Sequence, residues 1–198
     1  MPVEAAGRTV VLKPVWEHGS VGLDEGSVVD VTDSAVLDRR ARELFPGRRR
    51  TFYAEEYIHG REFNLSVLAS EDGPEALPAA EILFVDYGAS RRRIVGYRAK
   101  WETDSFEYAH TRRTFDFAAA DGPLLDRLAR LALDCWDLFG LSGWARVDFR
   151  VDASGDPYIL EVNANPCISP DAGFAAAVER AGLSYADAIE RIVADAMQ

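Results

Sequence analysis

Two short segments near the carboxyl-terminal end of the sequence combine acidic, basic and amide side chains with the alternation of a β-hairpin. The first contains Arg146 and Asp148, and the second contains Glu161 and Asn163. A turn centred at 154–155 pairs Asp148 with Glu161 and Arg146 with Asn163. Because side chains alternate between the two faces of a strand, all four are predicted to project from the same face.

This cluster has the chemistry of a site for a hard cation. Two carboxylates directly opposite each other, with Cβ atoms about 5 Å apart, repel unless a cation lies between them. Two carboxylates and one amide favour Mg²⁺, with Mn²⁺ as the alternative, over zinc or copper. Protein-bound Mg²⁺ keeps positions for water and substrate phosphates, so the pattern favours a nucleoside triphosphate. The other interpretation is that Arg146 only neutralises the acidic pair on a solvated sheet face.

Composition narrows the class of protein. The 198 residues include 22 Lys and Arg against 33 Asp and Glu, a net charge of −11 that disfavours nucleic acid as a partner. A hydrophobic share of 48% is typical of a globular protein. No apolar run approaches the ~18 residues of a membrane helix. Two cysteines and the absence of a signal-like start predict a cytoplasmic protein.

The elements around the cluster follow from hydrophobic periodicity and turn residues. Helices are predicted over 34–45, 124–139, 170–181 and 185–197, and residues 101–119 are predicted to form a long surface loop. Strands are predicted over 9–12, 28–31, 51–57, 62–68, 80–87, 94–100, 145–151 and 158–163. Neighbouring strands joined as hairpins, followed by helices, indicate an α+β fold.

Four motifs, in order, resemble those of the ATP-grasp ligases, and most closely the D-alanine-D-alanine ligase family. Residues 146–148, followed after twelve residues by 161–166, resemble the magnesium-binding signature of that family. The others are the lysine and glycine-rich phosphate-covering loop (11–14 with 17–22), the adenine hinge and ribose-contacting glutamate (55–58 with 60–63) and the start of the lid loop (97–100). The resemblance extends from about Val10 to Ala196.

The resemblance implies a fold and a division of the chain. The fold is the α+β ATP-grasp fold, in which two subdomains with antiparallel sheets grip the nucleotide. Residues 1–58 would form the small subdomain, with the glycine-rich loop and adenine hinge. Residues 59–198 would form the large subdomain, with the lid loop, the magnesium hairpin and the carboxyl-terminal helices.

The resemblance also implies an ATP site. Lys13 would contact the α- and β-phosphates, Glu62 the ribose hydroxyls, and Lys100 a phosphate once the lid closes. Leu160, with Val11 and Ile94, would form the apolar adenine pocket. The full ATP-binding set is Lys13, Glu17, Gly19, Ser20, Val21, Glu55, Tyr57, Ile58, Glu62, Lys100 and Leu160. Without the glycine-rich loop behind it, Lys13 would more commonly be interpreted as an exposed lysine at a strand end. For the three apolar residues, burial in the core and lining of the adenine pocket are almost the same prediction.

The catalytic residues implied are Arg146, beside the transferred phosphoryl group, and Lys100. Asp148 and Glu161 would bind one magnesium ion, and Glu161 and Asn163 a second. The activity implied is a Mg-ATP-dependent ligase that joins a carboxylate to an amine through an acyl phosphate. Its substrates would be small amino acids or dipeptides. Two alternatives are a nucleotide-binding module that is inactive alone and a phosphotransferase acting on a carboxylate or alcohol.

The chain also departs from the family pattern. Members of the family ordinarily carry a further substrate-binding domain ahead of the point where this sequence begins. The resemblance leaves three alternatives: a carboxyl-terminal piece, a misassigned start, or a partner in a split enzyme. The candidate partners are a separate chain that supplies the missing domain and a second copy in a homodimer. After the asparagine motif, residues 167–173 read CISPDAG, where the D-alanine enzymes carry a glycine followed by a run of small hydroxyl residues. Trp101 stands where those enzymes favour tyrosine. The nucleotide half therefore matches the family better than the amino-acid half.

Overall fold

The structure, a computed structural model, describes residues 7–17, 19–44 and 52–197. The strands are β1 (Thr9–Pro14), β2 (Val28–Asp30), β3 (Phe52–Glu56), β4 (Arg61–Leu68), β5 (Glu75–Ala76), β6 (Ala80–Phe84), β7 (Thr111–Thr114), β8 (Trp144–Val151) and β9 (Pro157–Asn163). The helices are α1 (Ser34–Leu44), α2 (Tyr97–Trp101), α3 (Phe106–His110), α4 (Gly122–Phe139), α5 (Gly173–Arg180) and α6 (Tyr185–Ala196). No helix among these is long and apolar enough to cross a bilayer.

The chain separates into two compact units. The first unit contains the described residues up to Tyr57 together with Phe84–Arg112, and the second contains Ile58–Leu83 together with the described residues from Arg113 onward. The backbone therefore passes from one unit to the other three times. The functional boundary after residue 58 stays a prediction. The two compact units do not coincide with the predicted subdomains, because residues 84–112 belong to the first unit.

The first unit is built on a three-stranded antiparallel sheet in the order β2-β1-β3. Alternation along β1 sends Val10 and Leu12 towards α1, where they pack with Leu37. Val11 points to the other face and packs with Tyr57. The helix begins where the Asp33 carboxylate accepts hydrogen bonds from the next backbone amides, as an N-cap aspartate does.

The second unit contains a larger sheet in the order β7-β6-β4-β8-β9, with β5 paired to β4. One face is apolar: Phe63, Val147 and Phe149 are fully buried and pack against α4. On the other face, α5 and α6 cover one end through Phe174 and Ile192. The remainder of that face carries polar side chains from β4, β8 and β9, and it holds the predicted metal cluster.

The strongly periodic elements were predicted correctly. Helix α4 ends at Phe139 and is followed by Gly140, which adopts the left-handed conformation (φ 57°) that the C′ position favours. Two predictions between residues 94 and 119 were wrong. No strand forms over 94–100, and residues 97–100 belong instead to helix α2. The predicted loop 101–119 contains α3 and β7. Both helices have five residues, too few for an apolar stripe to repeat.

The turn of the β8–β9 hairpin also differs from the prediction. Val151 pairs with Pro157, so the turn consists of the five residues 152–156 and is centred on residue 154. The prediction placed its centre between residues 154 and 155. The Asp152 carboxylate fixes this turn by accepting hydrogen bonds from the amides of Ser154 (2.8 Å) and Asp156 (3.0 Å). A bulge near Phe149 then takes up one extra residue on β9. It restores the predicted pairing at Asp148 and beyond.

These hydrogen bonds predict a pH-dependent contribution to stability. The amide of Asp156, followed by that of Ser154, holds the pKa of the Asp152 carboxyl below its ordinary value. A depressed folded-state pKa stabilises the fold above the unfolded pKa, near 4, and this contribution is lost as the pH falls through the folded-state value. We expect Asp152→Asn to be less stable than the parent at pH 7, with the gap closing below about pH 4.

Urea denaturation across that range measures the gap. Asp152→Ala, which removes the acceptor as well as the charge, is the matched control and should be destabilised at every pH. A gap between the parent and Asp152→Asn that does not change with pH would contradict the assignment.

Candidate nucleotide and metal-binding site

The predicted cluster in the second unit forms with the predicted pairing. Asp148 lies directly opposite Glu161, and Arg146 directly opposite Asn163, in the β8–β9 ladder. Asp148 is buried and Arg146 is half-buried, whereas Glu161 is exposed. The four side chains that the alternation placed on one face therefore share it.

Arg146 forms a bidentate ion pair with Asp148. Its Nε donates to Oδ1 at 2.7 Å and its Nη2 to Oδ2 at 2.8 Å. Burial disfavours the charge on Arg146, but attraction to Asp148, and then to Glu161 and Glu62, outweighs burial and raises the pKa of the guanidinium. The guanidinium therefore stays charged, and its two Nη1 protons have no acceptor among the described residues.

A contact that was not predicted comes from β4. Asn64 pairs with Asp148 across the β4–β8 ladder, and its amide donates to Oδ1 of that carboxylate at 2.8 Å. The alternation of β4 places Asn64 on the polar face, but nothing in the sequence aligns β4 with β8. Local sequence patterns do not predict such a long-range pairing of strands.

The donor set fits a magnesium ion. Arg146 and Asn64 occupy both acceptor positions of Asp148 Oδ1 and one of Oδ2, which leaves one position on Oδ2. Both oxygens of Glu161 lack hydrogen bonds from the described part of the chain. Asn163 Oδ1 accepts a bond from the Asn165 amide at 3.0 Å and keeps one lone pair. No group of three or more His, Cys, Asp or Glu side chains suited to a metal occurs among the described residues, so any site here combines carboxylates with an amide and water.

Two further predicted residues lie in the second unit. Glu62 is buried on β4 and forms an ion pair with Arg150 at 3.0 Å. Arg150 also donates to the carbonyl of Gly60, so this pair joins the start of β4 to β8. Leu160 lies at the bulge, where Phe149 pairs with Ile159 rather than with Leu160 as the uniform register would require. Ile58 opens the second unit just before β4.

In the first unit, Lys13 lies near the end of β1 and forms an ion pair with Glu55 of the neighbouring strand β3. The Lys13 side chain is only 20% exposed. The sheet therefore fixes the ammonium group instead of leaving it in solvent. To make the predicted phosphate contact, the Lys13 ammonium would have to bind the phosphate alongside Glu55 or leave Glu55 for it.

The glycine-rich segment adopts a backbone that favours glycine. Gly19 has φ 62° and Ser20, unusually for a residue with a side chain, φ 64°. The Ser20 hydroxyl donates to the carbonyl of Val95 at 2.9 Å. The Trp101 indole donates to the carbonyl of Gly19 at 3.0 Å. The segment that contains Lys100 is thus tied to the glycine-rich loop, with Trp101 in the place where the family favours tyrosine.

The remaining predicted residues of the first unit divide between core and surface. Tyr57 is buried with Val11 and Ile94, and its hydroxyl donates to the carbonyl of Arg93 at 3.1 Å. Val21 is 40% exposed, and Glu17 follows β1 at the edge of the loop. Lys100 on α2 is partly buried and has no ion pair within the part of the chain that the structure describes. Tyr57 therefore belongs to a small core whose apolar residues include two of the predicted adenine-pocket residues.

A comparison with family models decides the relationship. The model described as "D-ala D-ala ligase C-terminus" matches residues 3–194. This chain belongs to that family. Among curated relatives, the D-alanine-D-alanine ligase of Bordetella pertussis is 31% identical over 192 residues, and that of Bordetella avium is 28% identical over 193. Each alignment covers 96% of this chain and 54% of the relative.

Solved structures confirm the predicted fold class. A D-alanine-D-alanine ligase from Bacillus anthracis, complexed with ATP, matches with TM-score 0.65 at 22% identity over 96% of this chain and 53% of that one. D-alanyl-alanine synthetase A from Vibrio cholerae matches with TM-score 0.71 at 16% identity, over 97% and 54%. The fold of this D-Ala-D-Ala ligase C-terminal domain is thus the α+β ATP-grasp fold. The chain spans about half the length of the curated relatives it matches.

Proposed function

We propose that this chain is the nucleotide-handling part of a Mg-ATP-dependent ligase that joins a carboxylate to an amine through an acyl phosphate. The observation that carries the proposal is the register of the β8–β9 hairpin, which places Arg146, Asp148, Glu161 and Asn163 on one polar face. The curated relatives bear the name D-alanine-D-alanine ligase. Small amino acids or dipeptides are therefore the proposed substrates, and D-alanine is the first to test.

The proposed reaction has two steps. An oxygen of the substrate carboxylate attacks the γ-phosphorus of ATP, the bond from that phosphorus to the β–γ bridging oxygen breaks, and ADP leaves. The nitrogen of a neutral amine then attacks the acyl carbon. The carbon–oxygen bond to phosphate breaks, and the nitrogen loses a proton as the amide forms. Magnesium held by Asp148, Glu161 and Asn163, as one ion or two, would neutralise phosphate charge during this chemistry.

Arg146 is the proposed catalytic residue on this face. Asp148 holds its guanidinium by Nε and Nη2, so that the Nη1 protons are oriented and available to an anionic oxygen. A guanidinium whose orientation is fixed before the reaction stabilises developing negative charge without further reorganisation. Asp148 therefore has two proposed tasks, as a metal ligand and as the group that positions Arg146.

The rest of the proposed nucleotide site follows the family resemblance. The proposal assigns Lys13 to the phosphates, the segment with Glu17, Gly19, Ser20 and Val21 to covering them, and Glu62 to the ribose. The backbone from Glu55 through Tyr57 to Ile58, together with Leu160, is assigned to the adenine. The support for the loop assignment is its left-handed backbone at Gly19 and Ser20, a conformation found where a backbone approaches a ligand closely.

Lys100 gives a specific prediction. Lys100 is a partly buried residue whose ammonium forms no ion pair with the described residues, while the Trp101 indole next to it donates a hydrogen bond to the glycine-rich loop. We expect Lys100→Ala to weaken Mg-ATP binding about tenfold, the effect of losing roughly 1.4 kcal/mol of charge-assisted hydrogen bonding. Isothermal titration measures this affinity. Arg112→Ala, which removes an exposed cation of β7, is the control and should bind as the parent does.

The activity itself is tested by following ADP release from Mg-ATP with D-alanine and other small amino acids. Hydroxylamine, which captures acyl phosphates as hydroxamates, separates the proposed pathway from transfer of phosphate to an alcohol. Hydroxamate formation that requires the amino acid supports the ligase. ADP release with no hydroxamate and no peptide product would contradict it.

A second candidate function is a nucleotide-binding module that requires a separate chain, or a second copy of this one, to complete the substrate site. The chain spans about half the length of the curated relatives it matches, so the activity of the chain alone has to be tested separately. Mg-ATP binding by the isolated chain without turnover would support this candidate, and peptide formation by the isolated chain would exclude it. Cytoplasmic location remains part of the proposal, since Cys167 is a free and exposed thiol, which suits a reducing compartment.

A further inference from the structure

The polar face of the second unit carries a further buried pair of opposite charges. Glu62 on β4 lies directly opposite Arg150 on β8, in the same ladder that pairs Asn64 with Asp148. Because directly opposite residues of an antiparallel ladder project to the same side, these four side chains share one face. The Glu62–Arg150 pair is therefore the next pair of side chains along this face from the carboxylate proposed to bind magnesium.

Both members of this pair are almost completely buried. The Arg150 side chain is 4% exposed, the Glu62 side chain is 9% exposed, and Nη2 of the arginine lies 3.0 Å from Oε2 of the glutamate. A buried ion pair gains little net stability over apolar residues of similar size, because removing both charges from water offsets their attraction. Stabilisation of the fold therefore does not by itself account for two charged side chains at these positions.

Arg150 also fixes the backbone immediately ahead of β4. Its Nη1 donates to the carbonyl of Gly60 at 3.1 Å. A Cβ atom at Gly60 would collide with the carbonyl oxygen of Val151, so a glycine is required for this backbone to lie so close to β8. One guanidinium thus holds both the Glu62 carboxylate and the segment that leads into β4, and both contacts lie within the second unit.

A carboxylate that is paired with one guanidinium can still accept hydrogen bonds. It offers about four acceptor positions, and an arginine fills at most about two of them. The positive charge of Arg150 also limits the repulsion between Glu62 and the phosphates of a bound nucleotide. Such a carboxylate suits two neighbouring hydroxyl groups, which donate hydrogen bonds and bring no charge of their own.

We propose that Arg150 is the positioning residue of the ribose contact. It holds the Glu62 carboxylate in the orientation that receives the two ribose hydroxyls, and it thereby makes the chain discriminate against nucleotides that lack those hydroxyls. The inference rests on the proposed function, in which Glu62 is assigned to the ribose. It adds a residue that does not itself touch the nucleotide. Selectivity for the sugar therefore depends on a guanidinium that acts only through its partner.

The test compares the binding of Mg-ATP and of Mg-2′,3′-dideoxyATP by isothermal titration of the full chain. The two ligands share the base and the phosphates and differ only in the ribose hydroxyls. We expect the parent to bind ATP about tenfold more tightly, because the dideoxy nucleotide loses hydrogen bonds to a charged acceptor. Arg150→Met should lower this affinity ratio to about one, while the affinity for the dideoxy nucleotide changes by less than about threefold.

Two further variants keep the test decisive if Arg150→Met, which leaves Glu62 buried without a cation, fails to fold. Arg150→Lys keeps the balancing charge, but one ammonium group does not fix the plane of a carboxylate, so the affinity ratio should fall to about three. Glu62→Gln should lower the ratio to about one. The matched control is Arg191→Met, because Arg191 likewise donates to one carbonyl, of Ala69, and one carboxylate, of Glu75, outside the proposed site. Its ratio should equal that of the parent.

Several results would overturn the inference. Equal affinities of the parent for the two nucleotides would mean that Glu62 makes no ribose contact, and would leave the proposed ATP binding intact. Equal weakening of both nucleotides by Arg150→Met would mean a purely structural pair, and tighter ATP binding by this variant would mean that Arg150 withholds Glu62 from the ribose. An undiminished ratio in Arg150→Lys would remove the role of the guanidinium. Binding of neither nucleotide by the parent would overturn the proposed function itself, and this inference with it.

Discussion

Replacing Arg146 with alanine is expected to lower the free energy of unfolding by about 3 kcal/mol, because it leaves the Asp148 carboxylate buried without a cation. The Asp148 side chain is only 11% exposed, and among the described residues only Asn64 supplies it with another side-chain hydrogen bond. Burial lowers the pKa of the Arg146 guanidinium, and attraction to that carboxylate more than offsets this and raises the pKa. Urea denaturation at neutral pH measures the loss.

Two further variants separate burial of charge from the loss of any arginine. Arg127→Ala removes an ion pair with Asp156 in which both side chains are about half exposed, and it should cost no more than about 1 kcal/mol. Adding Asp148→Asn to Arg146→Ala should recover part of the loss, because asparagine carries no charge. Equal losses from Arg146→Ala and Arg127→Ala would contradict the account of the buried pair.

Glu161→Gln should have the larger effect on function and little effect on stability. Glu161 lies opposite Asp148, is exposed, and has no hydrogen bond from the described residues, so its charge is available to a metal ion. Losing one carboxylate ligand removes several kcal/mol of charge stabilisation, so we expect ADP release to fall about 10²- to 10³-fold. The Mg²⁺ concentration that half-saturates ATP binding should rise in parallel. Both quantities are measured on the same preparation, by coupled assay and by titration.

The control for this experiment is Glu71→Gln, which changes an exposed carboxylate in the loop between β4 and β5. It should leave ADP release, Mg²⁺ dependence and stability within error of the parent. Undiminished turnover in Glu161→Gln would remove the metal assignment. A loss in the free energy of unfolding large enough to account for the loss of turnover would show that Glu161 acts through the fold instead.

The sequence predicted the arrangement of Arg146, Asp148, Glu161 and Asn163 because alternation and a short turn determine which side chains of a hairpin share a face. The pairing of Asp148 with Glu161 needed no information from elsewhere in the chain. The route to that pairing was predicted wrongly. The turn has an odd number of residues, fixed by Asp152, and a bulge corrects the register by one residue. Two local errors cancelled at the site.

What the sequence could not predict depends on contacts between distant segments. Asn64 reaches Asp148 only because β4 lies beside β8, eighty-four positions along the chain. Helices α2 and α3 are too short for periodicity; Ser105 caps α3, and both helices belong to the segment 84–112 that joins the first unit only in the folded chain. Glu107 has no local signal at all. Its burial becomes visible only with the fold.

The three passages of the backbone between the two units bear on how such a protein can change during evolution. The first unit is encoded in two separate stretches, with a stretch of the second unit between them. A single recombination event therefore cannot transfer the whole first unit to another gene without also transferring the intervening stretch of the second unit, residues 58–83. Either both stretches move, or the recipient must already encode a compatible sheet. Limited proteolysis at one site likewise should yield nicked molecules in which each unit remains joined to the other by peptide bonds.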